Sequence, residues 1–146
     1  MNSGSEHDIL NRLIVLHNRS LPMYLRDAVP WWSDRNGQAA DLLEHITTDQ
    51  MELVDRLGKM VIDGGEDVDN GEFPMVFTGL HDLSFDYLLE QMIGYQRRTV
   101  VAIEKCVEQL PENRMSRPLA QEALGTAKAH LDSLCEMANR YKTAAE

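Results

Sequence analysis

The chain has 146 residues, 43% of them hydrophobic, which is enough for one sizeable core and too little for two ordinary domains, so a single domain over 1–146 is expected. Its 24 acidic and 14 basic residues give a net charge of -10, which repels a phosphate backbone and excludes nucleic acid as an expected partner. The start, MNSGSEHD, has neither a basic nor an apolar run and no stretch approaches a membrane span, so a cytoplasmic location without a membrane partner is expected.

The first helix is predicted over about 5–29, where Leu10, Leu13, Ile14, Leu21, Tyr24, Leu25 and Ala28 recur at three- and four-residue intervals. Ser3 and Glu6 have the spacing of a capping box. Pro22 lies inside the pattern and predicts a kink, and Pro30 ends it. Trp31 and Trp32 follow at a hairpin end, where two indoles either plug the core or meet a partner chain.

The second helix is predicted over about 35–63, with Leu43, Ile46, Leu53, Val54, Leu57, Met60 and Val61 on one face and Gly64-Gly65 as its stop. His45, Asp49 and Glu52 follow an i, i+4, i+7 pattern and read as a solvated face; a rotation of about 100°, one residue, would turn them into ligands beside the core. The next segment, GGEDVDNGEFPMVFTGL, has no helical period. Its apolar half, FPMVF, is expected to dock on the helices or in a subunit contact.

The third helix, about 81–110, opens at His81-Asp82, carries Leu88, Leu89, Met92, Val100, Ile103, Cys106 and Val107, and stops at Pro111. The fourth opens with Ser116 as N-cap and Pro118 in its first turn, and carries Leu124, Leu131, Leu134, Met137 and Tyr141. No alternating strand pattern occurs, so the fold class is all-α. Links of about six residues suit two antiparallel hairpins. The connection between helices two and three can stretch to about 50 Å, enough to run the length of a 29-residue helix of about 44 Å. An antiparallel four-helix bundle with one long crossover between helices 2 and 3 is therefore expected.

Helices of similar length share a midpoint level. The residues near that level on the four inner faces are His17, Gln50, Tyr95 or Gln96, and His130. A buried imidazole or amide must be hydrogen-bonded or ligated, so these four are expected to wall a polar pocket. Gln50, Tyr95 and Gln96 would line it, and His17 and His130 would be its metal ligands. A hydrogen-bonded network holding water is the alternative. Arg97 and Arg98 stand beside the pocket and read as surface ion pairs or as partners of Asp49 or Glu52.

Three stretches resemble known helices. LNRLIVLHNRSLPMYL resembles the first helix of bacterioferritins, DQMELVDRLGKMVIDGG the second and TAKAHLDSL the fourth, so that with the long crossover the resemblance to the ferritin-like superfamily covers nearly the whole chain. The family bridges two irons with carboxylates and histidines. Its first-helix glutamate falls on His17, its second-helix pair on Gln50 and Leu53, its third-helix glutamate on Tyr95 or Gln96, and its fourth-helix pair on Ala127 and His130. None of the bridging carboxylates survives at a matching position. The resemblance thus implies a degenerate diiron site without ferroxidase activity, binding at most one transition-metal ion, iron or zinc, through His17 and His130.

Cys106 and Cys135 stand far apart, in no paired metal or redox spacing, and read as reduced thiols. No nucleophile with a base, no glycine-rich phosphate loop and no zinc knuckle is present. Two readings of function remain: a ferritin-like protein holding a single metal ion, and a metal-free helical scaffold that binds a protein partner through its crossover and tryptophan end. A homodimer is expected under both. A histidine-triad enzyme is disfavoured, because no helix carries a close histidine pair.

Overall fold

A computed structural model describes residues 3–26, 37–80 and 85–145. The described residues are all-helical and contain no strand. In chain order they form α1 (Ser3–Asn18), α2 (Leu21–Leu25), α3 (Gly37–Asp63), a 3-10 helix (Met75–Leu80), α4 (Phe85–Gln109) and α5 (Ser116–Ala145). Pro30, Trp31, Trp32, His81 and Asp82 lie outside the described residues. Among the described residues no helix is long and apolar enough to cross a membrane.

The first predicted helix is two helices, and the break falls before Pro22 and not at it. The α1 ladder ends with the Arg19 amide on the Val15 carbonyl (2.9 Å). Ser20 then turns extended (φ -72°, ψ 161°) and its hydroxyl accepts the Met23 amide at 3.2 Å. Ser20 is thus a new N-cap that places Pro22 in a first turn, where its missing N–H leaves no bond unmade. A kink becomes a restart because the serine accepts an amide of the new first turn, where the proline's missing N–H is not needed.

The stop of α3 works as its two glycines predict. Gly65 takes a left-handed φ of +81°, its amide donates to Ile62 (2.9 Å), and the Glu66 amide donates to Val61 (3.1 Å). This is the double bond of a Schellman ending, which meets carbonyls the helix leaves open. At the other end of the chain, Ser116 does not act as the expected cap. Its hydroxyl donates to the Glu6 carboxylate at 3.1 Å, with the Arg114 guanidinium 3.6 Å from the same oxygen, so Glu6 links α1 to the start of α5.

The connection after α3 lies along α1. Asn11 clamps it twice, donating to the Asp67 carbonyl (3.1 Å) and accepting the Asp69 amide (2.8 Å). Arg19 donates to the carbonyls of Asn70 (2.9 Å) and Gly71 (3.1 Å), and its guanidinium lies over the Phe73 ring. Phe77 is fully buried, with Tyr24 and Tyr95 ring centroids 5.6 and 5.1 Å away. Only part of the apolar FPMVF run docks: Met75 and Val76 are exposed, at 85% and 61%.

Two apolar clusters fill the interior. The first takes Leu10, Leu13 and Ile14 of α1 with the C-terminal half of α3, the C-terminal half of α4 and the N-terminal half of α5. The second takes α2, the N-terminal half of α3, Phe77, the N-terminal half of α4 and the C-terminal half of α5. Leu131 packs against both. α3, α4 and α5 therefore each pass from one apolar cluster to the other at their middle, while α1 and α2 lie one in each.

Candidate metal centre

Six of the eight buried polar side chains among the described residues sit at that passage; His7 and Ser116 lie elsewhere. His17 and Ser20 lie between Ile14 and Leu21, Thr47 and Gln50 between Ile46 and Leu53, Gln96 between Ile93 and Val100, and His130 between Ala127 and Leu134. Four helices thus contribute polar groups to the level that divides the two clusters. Such groups are tolerated in an interior only when they find partners.

Most of them do. The Ser20 hydroxyl donates to Gln50 Oε1 at 2.8 Å, Gln96 Nε2 donates to the Ala127 carbonyl at 3.0 Å, and the Thr47 hydroxyl donates to its own helix at Leu43 (3.0 Å). The amides expected to line a pocket are therefore engaged with protein groups. Of the two candidates on α4, Gln96 is the buried one. Tyr95 is half-buried, edge-on to Phe77, with the Arg98 guanidinium 4.3 Å above its ring. Arg98 thus stacks on an aromatic ring where an acidic partner was expected.

His17 and His130 are both inward, at 3% and 4% exposure. His17 Nδ1 donates to the Leu13 carbonyl at 2.7 Å, which places its proton there and leaves Nε2 with a free lone pair. His130 Nε2 lies 2.8 Å from Asp49 Oδ2, and His45 Nε2 lies 3.5 Å from the same oxygen. The two rings meet edge to face, with centroids 6.0 Å apart. Ligand atoms of His45, Asp49 and His130 all fall within 4.8 Å of one another, the one such trio among the described residues. His17 stands outside it.

This trio has the makings of a metal site. A tetrahedral ion with bonds near 2.1 Å holds its ligand atoms about 3.4 Å apart, close to the spacings around Asp49 Oδ2. Two imidazoles and one carboxylate suit zinc, iron, nickel or copper and are too few oxygens for calcium or magnesium. The side chains grade from interior to surface, from buried His130 through Asp49 (32% exposed) to His45 (68%). The innermost ligand is thus shielded from solvent and the outermost is open to it.

Burial favours the neutral form of both inner imidazoles, the form in which a histidine can ligate a metal. Burial pushes His17 below the ordinary histidine range; its bond to Leu13 opposes the shift and the nearby His130 adds to it. Burial likewise lowers His130, against the hydrogen bond and charge of Asp49, and His45 pushes it the same way as burial.

Sequence reasoning placed His45, Asp49 and Glu52 on a solvated face. Glu52 is there, near Arg56 at 3.9 Å. Asp49 is not: it sits on the flank of the apolar stripe and reaches across to α5. The i, i+4 histidine–carboxylate pair beside that stripe was the available signal, and it lacked only the third group from another helix. Comparison with protein-family models, with curated proteins and with solved structures finds no match for this chain.

Proposed function

We propose that this chain is a ferritin-like four-helix bundle whose centre binds one first-row transition-metal ion through His130, Asp49 and His45, without ferroxidase chemistry. The convergence of three ligand atoms from two helices within 4.8 Å carries the reading. The bundle topology is supported by the core: C-terminal halves of α3 and α4 share one cluster and their N-terminal halves share the other, the pattern of a parallel pair joined by a long crossover. One carboxylate cannot bridge and charge-balance two irons as the several carboxylates of a diiron centre do. A cytoplasmic site of action accords with two unpaired cysteines.

Protein purified without a chelating tag and analysed for metals tests this directly. About one equivalent of zinc or iron, present as purified or taken up on addition, is the expected result. Less than a tenth of an equivalent under both conditions would end the reading.

A specific observation favours a second function on the same scaffold. Met75 and Val76 stand exposed beside the docked Phe77, a small apolar ledge on the crossover. The ledge suits a homodimer contact. Light scattering over a range of concentrations tests it, and a strict monomer would leave the dimer without support.

A further inference from the structure

α4 buries one side, with Met92, Gln96 and Ile103 facing the interior. The opposite side carries Tyr87, Glu90, Gly94, Arg98 and Val101. Gly94 is the centre of that outer stripe: residues seven places away on the helix are turned about 20° from it, and those four places away about 40°. Two of the large hydrophobics that the fold leaves exposed stand there, Tyr87 at 46% and Val101 at 51%.

Nothing inside the chain explains Gly94. A glycine in mid-helix weakens the helix relative to alanine. Its φ is not positive, and a Cβ built on it finds no neighbour within 4 Å beyond its own helix, so neither the backbone nor the packing of the described residues requires it. What such a glycine allows is the close approach of another helix. Gly125 on α5 is open in the same way, but α5 carries no large exposed hydrophobic among the described residues.

The stripe is also its own complement. A two-fold axis through Gly94, perpendicular to α4, sets a second copy of the helix antiparallel to the first, in an isologous contact. Positions symmetric about Gly94 then face each other. Tyr87 meets the partner's Val101 and Glu90 meets the partner's Arg98, each pair twice. A crossing angle near about 20° keeps such neighbours together for two turns on either side of the axis. The Arg98 guanidinium, 4.3 Å from the centre of the Tyr95 ring, has one face against that ring and its N–H edge left to donate to a carboxylate. Apolar against apolar and acid against base, under one operation, is what a second copy supplies. We propose that the outer face of α4 is a self-association surface, occupied by a second copy of this chain docked antiparallel across Gly94. The inference rests on neither the metal centre nor the Met75–Val76 ledge, and it gives the dimer a different surface.

Sedimentation velocity over a concentration series, with a chelator present so that metal plays no part, reads the dimer. Wild type is expected to dimerise. Gly94→Leu puts a side chain at the two-fold axis, where the single chain has room for it. At dilution, where both proteins are monomeric, its melting temperature should be no lower than that of wild type, while its dimer should be at least about tenfold weaker. Arg98→Glu sets like charges face to face and should weaken the dimer by a similar factor; adding Glu90→Arg swaps the pair and should return the affinity to within about threefold of wild type. Met75→Ser should leave it unchanged.

A wild type that stays monomeric up to millimolar concentration would overturn the proposal. So would a dimer indifferent to Gly94→Leu, or a charge swap that does not restore association. A dimer lost in Met75→Ser and kept in Gly94→Leu would move the contact to the ledge and overturn it as well, leaving the metal reading untouched.

Discussion

His130 Nε2 lies 2.8 Å from Asp49 Oδ2, and this contact binds the buried middle of α5 to the flank of α3. Asp49→Ala removes the acceptor and leaves a ring N–H in the interior without a partner, which costs about 1–3 kcal/mol. Asp49→Asn keeps an acceptor oxygen and removes only the charge. In the presence of a chelator, urea unfolding should show the alanine variant clearly less stable and the asparagine variant close to wild type. Zinc binding should be lost in both. If Asp49→Ala is as stable as wild type, the contact contributes nothing to the fold.

His17 and His130 are both held below the ordinary histidine value of 6.5, chiefly by burial. Between that value and their lowered ones the unfolded chain binds more protons than the folded one, so stability rises with pH. The stabilisation is complete above about pH 6.5 and is lost as the pH falls below it. Each ring contributes a slope of up to about 1.4 kcal/mol per pH unit in that window. Unfolding of the metal-free protein at pH 7.5 and 5.5 should therefore show a marked loss at the lower pH. His17→Asn, which cannot titrate and keeps the Leu13 bond, should show a smaller loss; an undiminished one would mean that His17 does not contribute to the slope.

Phe77 anchors the crossover between Tyr24 and Tyr95. Phe77→Ala empties a fully buried site and should destabilise by about 3–5 kcal/mol. Met75→Ser, two residues earlier and exposed, should change stability by less than about 0.5 kcal/mol. Chemical denaturation of the two variants side by side checks whether the crossover is part of the cooperative core. A small effect at Phe77 would mark it as a loose strap.

Much of this architecture is legible in the sequence because its signals are local. The glycines at 64 and 65 and the three- and four-residue spacing of leucines need no knowledge of neighbouring helices, and the ends of α3 and α4 and the start of α5 fall within a few residues of their predicted places, whereas the first predicted helix breaks at residues 19–20. The middle layer is legible for the same reason: Gln50 interrupts an apolar stripe, and an interrupted stripe places a polar residue inside. Ser20 and Asp49 escape for two different physical reasons. Proline's effect depends on the residue two places before it, because a serine that can cap turns a kink into a restart. Asp49 lies about 100° around the helix from Gln50, on the border where only the neighbouring helix decides which way a carboxylate turns. What decides is His130, 81 residues away in the chain.

Gly71 shows how closely the crossover is fitted to α1. Its φ is +64°, and a Cβ built there would lie 2.8 Å from Val15 Cγ1 and 2.9 Å from Cγ2. Gly71→Ala therefore meets two penalties: a left-handed backbone that costs an L-residue about 1–2 kcal/mol, and a clash with a side chain of α1. Val15→Ala removes the clashing methyls and leaves the backbone penalty. In a double-mutant cycle, Val15→Ala should thus harm the Gly71→Ala protein less than it harms wild type, with a coupling of about 0.5–3 kcal/mol. Strict additivity would mean that residue 71 does not rest on Val15 in solution, and with it would go the close approach of the crossover to α1 that Asn11 and Arg19 hold by their backbone bonds.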